Sequence, residues 1–251
     1  MLGTRWSCPS PNCQASLHIT RRESQVWIWG RISDNREHRH QALQVCVAAK
    51  GAAAALHLGS ECTKGRGLVV RGGIAHALHA DDGLVVLVDS SSALATRIHE
   101  TVLRDRAFGQ FETAGWDGSL EHGAELLDSL ARGPAPTTDS RVRDVMRWLD
   151  ALETTGRWFE ATLAGALERA QLSRSRFLHL FSEEVGSPWR TYLVWRRAQV
   201  AMSAASVGAS LTEAAHFAGY ADLAHFSRQF VALFGVPPGQ LVKASHFVQA
   251  F

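Results

Sequence analysis

The chain has 251 residues, of which 46% are hydrophobic and 20% are charged. That composition excludes a disordered, collagen-like or disulfide-rich chain and is typical of a folded globular protein. The formal net charge of +2 is too small to identify a partner. The segment from Gly165 to Lys243 has a modest basic excess, with eight Lys and Arg residues and five Asp and Glu residues.

The compartment is predicted from what the sequence lacks. Its first residues, MLGTRWSCPS, contain no apolar segment of the kind found in a signal peptide, and no apolar run approaches membrane length. Four cysteines are too few for a disulfide scaffold. We therefore predict a cytoplasmic protein with reduced thiols and no membrane partner.

The N-terminal part of the chain is predicted to be a β-domain. Residues 1–20 are expected to form a loosely structured arm. From residue 21 to 92, short apolar runs such as VWIWG and GLVVLV alternate with glycines and polar turns. This texture is typical of the short strands of an antiparallel β-barrel or sandwich.

The middle of the chain changes to helical periodicity. Residues 93–132 contain two stretches with apolar positions near the 3.6-residue period, and we expect them to form a packing or dimerisation surface. Residues 133–139, with the sequence GPAPTTD, are the best candidate for a linker. Residues 140–251 are predicted to be all helical.

One stretch of this helical part, Leu211 to Pro238, predicts two short helices around a tight turn. Its first helix has apolar residues at the i, i+3, i+4 and i+7 positions, and Gly219 follows where a left-handed residue would end that helix. Asp222 can cap the second helix, and Pro237-Pro238 ends it. This arrangement is typical of a helix-turn-helix DNA-binding motif, although any small helical hairpin would share it.

An internal repeat favours the DNA-binding interpretation. The segment LAGALERAQL from Leu163 parallels the segment from Leu211 at an offset of 48 residues, and Phe177 and Phe181 parallel Phe226 and Phe230 at an offset of 49. A long helix from Trp189 to Ser206 is predicted to join the two copies. The sequence thus predicts an α+β protein with an antiparallel β-barrel followed by a double helix-turn-helix domain.

Residues 140–243 resemble the AraC/XylS family of transcriptional regulators. The motif GYADLAHFSRQFVALFGVPP carries the resemblance, together with SRSRFLHLFSEEVG and YLVWRRAQVA. The resemblance implies that two helices, Ser173–Glu184 and Asp222–Phe234, enter successive major-groove segments of double-stranded DNA. It also implies a possible homodimer.

The resemblance further implies which side chains face DNA. The outward positions of the two reading helices and two arginines of the linker helix are Arg174, Ser175, Leu178, His179, Leu223, Ala224, His225, Arg228, Arg196 and Arg197. Arg228 is the strongest candidate, because Arg can contact guanine bidentately or clamp a phosphate. Of Arg196 and Arg197, one is expected to contact phosphate. The first copy has Gln171 where the second has Gly219, and Gln is strained if that turn needs a positive φ.

Many members of this family carry a cupin-like sensor barrel, and the N-terminal half has matching spacings. His38-Arg39-His40 is followed by Gln44 at the position of the cupin acid, and a second segment ends at His76. Residues two apart on a strand face the same side. His38, His40 and His76 could therefore supply three nitrogen ligands to a divalent transition metal, with Gln44 as a weak oxygen ligand. The alternative is that these histidines line an organic-effector pocket or bond locally.

Together these patterns predict a non-enzymatic, sequence-specific DNA-binding regulator controlled by a small molecule or metal ion in the barrel. One alternative is a metal-dependent cupin enzyme fused to a DNA-binding module, but an amide at Gln44 in place of the acid counts against it. Another is a DNA-binding protein whose barrel is inert and serves only dimerisation.

Overall fold

A computed structural model of the chain describes residues 17–22, 25–32, 36–113, 116–130 and 139–247. Most of the predicted arm, including Cys8 and Cys13, and most of the predicted linker lie outside these described residues. Among the residues described, no helix is long and apolar enough to cross a membrane.

The N-terminal region is built around one sheet. Its strands are β1 Leu17–Arg22, β2 Gln25–Ile32, β3 Leu43–Ala48, β4 Ala54–Leu58, β5 Glu61–Gly65, β6 Gly67–Val70, β7 Ala77–Val88, β8 Phe108–Gln110 and β9 Ser245–Phe247. Hydrogen-bonded neighbours run in the order β8-β6-β3-β7-β2-β1-β9, and β4 pairs with both β5 and β7. The pairs are antiparallel except for β1 with β9. The predicted antiparallel β-region is therefore confirmed, and the sheet extends beyond residues 21–92.

The helices follow the strands in two groups. They are α1 Ala93–Ile98, α2 Leu120–Leu130, α3 Ser140–Thr154, α4 Leu163–Ala170, α5 Arg174–Val185, α6 Trp189–Ser206, α7 Leu211–Phe217, α8 Leu223–Phe234 and α9 Pro238–Ala244. A π-helical turn, His99–Leu103, extends α1, and a 3-10 turn lies at Trp158–Glu160. The predicted helical C-terminal domain is confirmed, and α6 has the bounds expected of the linker helix. The prediction that all of residues 140–251 are helical is wrong at Ser245–Phe247, which forms β9 and pairs with β1.

Strand alternation gives the sheet two buried faces. On β3, Val45 and Val47 belong to a core that includes residues of α1 and α2. Cys46 and Ala48, on the opposite face, belong to a core that also contains Trp195 of α6. Because successive side chains on a strand point to opposite sides, Gln44 shares the face of Cys46. The sheet is thus covered by its own helices on one side and approached by the helical domain on the other.

Candidate effector site and DNA-reading helices

The three histidines predicted from spacing are brought together by backbone pairing. His38 and His76 form an isolated antiparallel bridge, in which each backbone N–H donates to the other residue's carbonyl at 3.0 Å. The Gly73 N–H donates to the His40 carbonyl at 2.7 Å. These bonds hold the His38-Arg39-His40 segment beside the turn before β7, and the ligand nitrogens of the three rings lie within 4.8 Å of one another.

Local hydrogen bonds orient the three rings. The Nδ1 atoms of His38, His40 and His76 lie 2.8, 3.0 and 2.9 Å from the carbonyl oxygens of Arg36, Ala42 and Ile74. A carbonyl only accepts, so each Nδ1 must carry the proton. In a neutral ring the Nε2 atom then has a free lone pair, which is the arrangement found in metal-ligating histidines.

Gln44 completes the cluster. Its Oε1 lies 3.0 Å from His40 Nε2 and 3.3 Å from His76 Nε2. When the Nδ1 atoms of His40 and His76 carry the protons, both Nε2 atoms are acceptors, and so is the Gln44 Oε1. Each of these two contacts then joins two acceptors and is unfavourable. A cation among the four groups would make them favourable, and so would rotation of the Gln44 amide, which would turn its N–H donors toward the rings.

The electrostatics of the cluster keep the imidazoles neutral. Burial, with the neighbouring His76, lowers the pKa of His38 to about 4. Burial, with His76 and His38, lowers the pKa of His40 to about 3. Burial also lowers the pKa of His76. Neutral imidazole is the form that binds a metal ion, so metal would not have to displace a proton at neutral pH.

The cluster opens on a cavity that lies between the two domains. The cavity has a volume of about 80 Å³, and its wall contains His38, His40, Gln44, Ile28, Ile32, Leu78, Val85, Leu87, Phe234, Val236 and Leu241. Phe234 ends α8, and Leu241 belongs to α9. His38 and His40 and the second helix-turn-helix unit therefore line the same space.

Direct contacts join the histidine segment to the helical domain. The Arg39 N–H donates to the carbonyl of Ala232 in α8 at 3.2 Å. The ring centroid of His40 lies 5.5 Å from that of Trp195 and 6.4 Å from that of Phe234. A change in the conformation of residues 38–40 would thus alter the contacts made by the end of α8.

A second connection between the domains is polar and buried. The Tyr192 hydroxyl donates to Asp89, at the end of the sheet, at 2.9 Å. Arg196 donates to the Tyr192 oxygen at 3.1 Å, to Asp150 at 2.8 Å and to Glu153 at 2.9 Å. Burial, followed by the adjacent Asp89 carboxylate, raises the pKa of Tyr192, which keeps the hydroxyl protonated as a donor.

This network corrects one sequence prediction. Arg196 was expected to be one of two candidates for a phosphate contact, yet it is only 4% exposed and its charge is paired with α3. Arg197 is half-buried and lies over the Tyr220 ring at 5.6 Å. Arg196 is therefore a structural residue of the linker helix.

Of the remaining predicted DNA-facing residues on α5 and α8, Leu178 and Leu223 pack against the core of the helical domain, and the exposed ones lie on the outer sides of the two helices. Five are exposed, namely Arg174, Ser175, His179, Ala224 and Arg228, and three are half-buried, namely Leu178, Leu223 and His225. The inner sides of the helices are anchored by Phe177, Phe181, Phe226 and Phe230, which are fully buried. Each helix is thus fixed by apolar contacts while its polar side faces outward.

The turns before the two reading helices have the same backbone geometry. Gln171 has φ 51° and Gly219 has φ 80°, so both turns use a left-handed residue. The positive φ that would make a side chain unfavourable at Gln171 is therefore present. The Gln171 side-chain amide donates to the Glu168 carbonyl, which supplies a partner to the end of α4.

Comparison with protein families settles the nature of this region. Residues 167–244 match the model of a helix-turn-helix domain. This part of the chain is an AraC-type helix-turn-helix domain. It contains α5, α6, α7 and α8, so the AraC-type domain includes both reading helices and the linker helix between them.

Solved structures extend the likeness to the whole fold. A structure of ToxT from Vibrio cholerae is 13% identical, with a TM-score of 0.52, and the match covers 88% of this chain and 98% of that chain. An apo ToxT variant from strain SCE256 is 12% identical, with a TM-score of 0.53 and coverage of 90% and 99%. Wild-type ToxT bound to an unsaturated fatty acid is 12% identical, with a TM-score of 0.50 and coverage of 91% and 94%. Comparison with curated protein sequences finds no significant match.

Sequence reasoning missed the residues that connect the AraC-type domain to the sheet. Trp195, Phe234 and Asp89 lie in the interface, and the sequence patterns predict none of them as a contact between the domains. The sequence feature that indicates such an interface is a helix with more large apolar residues than its own domain can bury. On α6, Trp189 and Trp195 are both buried, the first within the AraC-type domain and the second against the sheet.

Proposed function

We propose that this protein is a sequence-specific DNA-binding transcriptional regulator whose reading helices are controlled by occupancy of the cavity between its two domains. The observation that carries the proposal is the shared wall of that cavity. The buried His38 and His40, in the segment before β3, and the end of α8 line one space, so an occupant contacts both. An occupant that prefers one arrangement of the domains would shift the population toward it.

DNA binding is supported by the AraC-type domain and by exposed basic side chains on its outer surface. Arg174 is the first residue of α5, whereas Arg228 lies in the middle of α8, where the repeat aligns it with His179. Both are exposed, so neither must leave a packed environment to contact DNA. Arg228 remains the leading candidate for a base or phosphate contact.

The test begins with selection of binding sites from random duplex DNA, followed by fluorescence anisotropy on the best site. Arg228→Ala is expected to weaken binding by about 1–3 kcal/mol, which is roughly 5–150-fold. The matched control is Arg147→Ala, because Arg147 is an exposed arginine of α3 whose side chain is 68% accessible. Equal affinity for the Arg228→Ala and Arg147→Ala variants would remove Arg228 from the DNA interface.

For the effector, we propose a divalent transition metal ion held by His38, His40 and His76. The oriented Nε2 lone pairs and the neutral rings support this assignment. A tetrahedral ion with bonds of about 2.0–2.1 Å holds its nitrogens about 3.4 Å apart, so at most a small inward movement of the rings is needed. Gln44 would bind weakly through its oxygen or orient a ring.

The fold itself is compatible with ligand control. ToxT, the structural neighbour, is described with a bound unsaturated fatty acid. The cavity of about 80 Å³ is smaller than the roughly 300–1,000 Å³ pockets of drug-sized ligands, which favours a metal ion or a small molecule here. Dimerisation through residues 93–132 stays a prediction, and light scattering would test it.

Metal control is tested by metal analysis and DNA affinity together. The full-length protein is expected to bind one ion, and DNA affinity should differ between metal-loaded and chelator-treated samples. A His38→Ala/His76→Ala variant should lose both the ion and that difference. If the ion binds without altering DNA affinity, metal is not the effector, and the regulator proposal stands on DNA binding alone.

A further inference from the structure

The proposed metal site has no charge to balance a divalent ion. Its ligands would be three neutral imidazoles and the neutral amide of Gln44. No Asp or Glu occurs among the described residues that line the cavity, where all the other wall residues are apolar. Two positive charges in such a site would be costly without a counter-charge, because burial of unpaired charge is strongly unfavourable.

We propose that the cluster binds its metal ion together with a small carboxylate that has an apolar tail, so that the protein senses the carboxylate in a metal-dependent way. The inference rests on the proposed metal site and names the ligand that completes it. The carboxylate would coordinate the ion through oxygen and neutralise one of its charges. The apolar tail would lie against Ile28, Leu87 and Phe234.

A buried donor beside the cluster supports an oxygen-bearing ligand. Trp195 is 1% exposed, and its ring packs against His40 and, at 5.4 Å between centroids, against Phe234. Its indole N–H is buried and has no hydrogen-bond partner among the residues described. Buried N–H groups usually have a partner. Trp195 contacts His40 but is not part of the cavity wall, so a ligand oxygen would supply that partner only by extending from the cavity past His40.

Cavity size and position restrict the ligand further. A volume of about 80 Å³ admits a short tail and excludes a bulky one. The tail would contact Phe234 and Val236, which belong to the second reading unit and the turn after it. A carboxylate in this place would therefore add apolar contacts between the sheet and α8.

Gln44 gives the proposal a test with opposite effects on two ligands. A glutamate at this position would supply one negative charge to the ion. Gln44→Glu should therefore raise metal affinity by about tenfold or more, by analogy with other changes beside a metal. The same charge should lower carboxylate affinity by at least about tenfold, because it repels the anion and removes the need for it.

The experiment uses the full-length protein loaded with Co²⁺, whose visible absorption reports its coordination. Hexanoate is the probe, and 1-hexanol is the neutral control with the same tail. Hexanoate should change the Co²⁺ spectrum saturably, and 1-hexanol should not. His57→Ala is the matched control variant, because exposed His57 forms a separate pair with Cys62 at 3.8 Å, and both titrations should be unchanged in it.

The outcomes separate this inference from the proposed function. If Co²⁺ binds at the cluster but hexanoate leaves its spectrum unchanged, or 1-hexanol acts equally, the carboxylate proposal is overturned while the metal site stands. If hexanoate binds equally well to metal-free protein, metal-dependent sensing is overturned. If Gln44→Glu weakens both ligands or neither, charge compensation is the wrong explanation. If Co²⁺ does not bind, both metal proposals fail, and DNA binding is judged by the Arg228 test.

Discussion

The two helix-turn-helix units are copies in sequence, but they differ in how well their ends are capped and in what they contact. In the second unit, Ser210 and Glu213 form a complete capping box at α7, and the Asp222 carboxylate accepts the His225 N–H at 2.6 Å. In the first unit, Thr162 caps α4 without a reciprocal acid, and Ser173 makes no side-chain cap bond to α5. The second unit is thus locally better defined.

The better-defined unit is also the one that contacts the histidine segment, residues 38–40. The α8 carbonyl of Ala232 accepts the Arg39 N–H, and Phe234 lies in the wall of the cavity. The first reading helix packs on α3, α4 and α6 of its own domain. If the cavity is occupied as proposed, the occupant would act first on the second unit, where the contacts of Ala232 and Phe234 lie. The predictions below test that comparison, starting with the largest effect.

The strongest test concerns the linker helix that both units share. Arg196→Ala should lower the free energy of unfolding by about 3 kcal/mol, because it removes the buried cation that pairs with Glu153 and donates to the Tyr192 oxygen. Chemical denaturation would measure the change. Arg147→Ala breaks only an exposed pair with Asp144 and should cost less than about 1 kcal/mol. Equal costs for the two variants would mean that the network adds no stability.

Lowering the pH should destabilise the second helix-turn-helix unit before the first. The folded-state pKa values of His38 and His40, about 4 and about 3, lie below the ordinary 6.5, so the unfolded chain takes up protons first as pH falls. Their stabilisation is fully present above about pH 6.5 and is lost toward pH 4 and 3, at about 1.4 kcal/mol per pH unit for each histidine. Hydrogen exchange of metal-free protein in chelator should show α8 losing protection relative to α5. Equal loss in both helices would contradict the one-sided coupling.

Substitutions at the two left-handed turn residues, Gly219 and Gln171, should change the free energy of unfolding in opposite directions. Gly219→Ala should cost about 1 kcal/mol, because its φ of 80° is unfavourable for a side chain although no atom lies within 4 Å of an added Cβ. Gln171→Gly should stabilise the chain by about 0.5–1 kcal/mol, because it relieves the same strain in the first unit. Thermal unfolding of the two variants would show the signs. A stabilising Gly219→Ala would mean that the turns are not equivalent.

Local pattern predicted much of this molecule, and distant partners account for what it missed. The bounds of α6 and the left-handed turn at Gln171 follow from periodicity and from alignment of the repeat. The spacing of His38, His40 and His76 indicated the cluster that the backbone bridge assembles. The partners of Arg196 lie 43 and 46 residues away, and β9 pairs with a strand more than 220 residues earlier. Hydrophobic periodicity shows that a face is buried but does not identify the surface that covers it, so the interdomain cavity could not be predicted.

The smallest expected effect concerns the caps. Ser210→Ala removes the acceptor for the Glu213 N–H, a bond of 3.2 Å, and should cost about 0.5–1 kcal/mol. Ser173→Ala changes the N-cap residue of α5, which makes no side-chain cap bond, and should cost less. If the comparison is right, Ser210→Ala should also reduce the response of DNA affinity to the effector, since α7 supports α8, whereas Ser173→Ala should leave that response intact. If only Ser173→Ala reduced this response, the coupling would lie in the first unit, and the comparison between the two units would be wrong. No described residue of α4 or α5 lines the cavity.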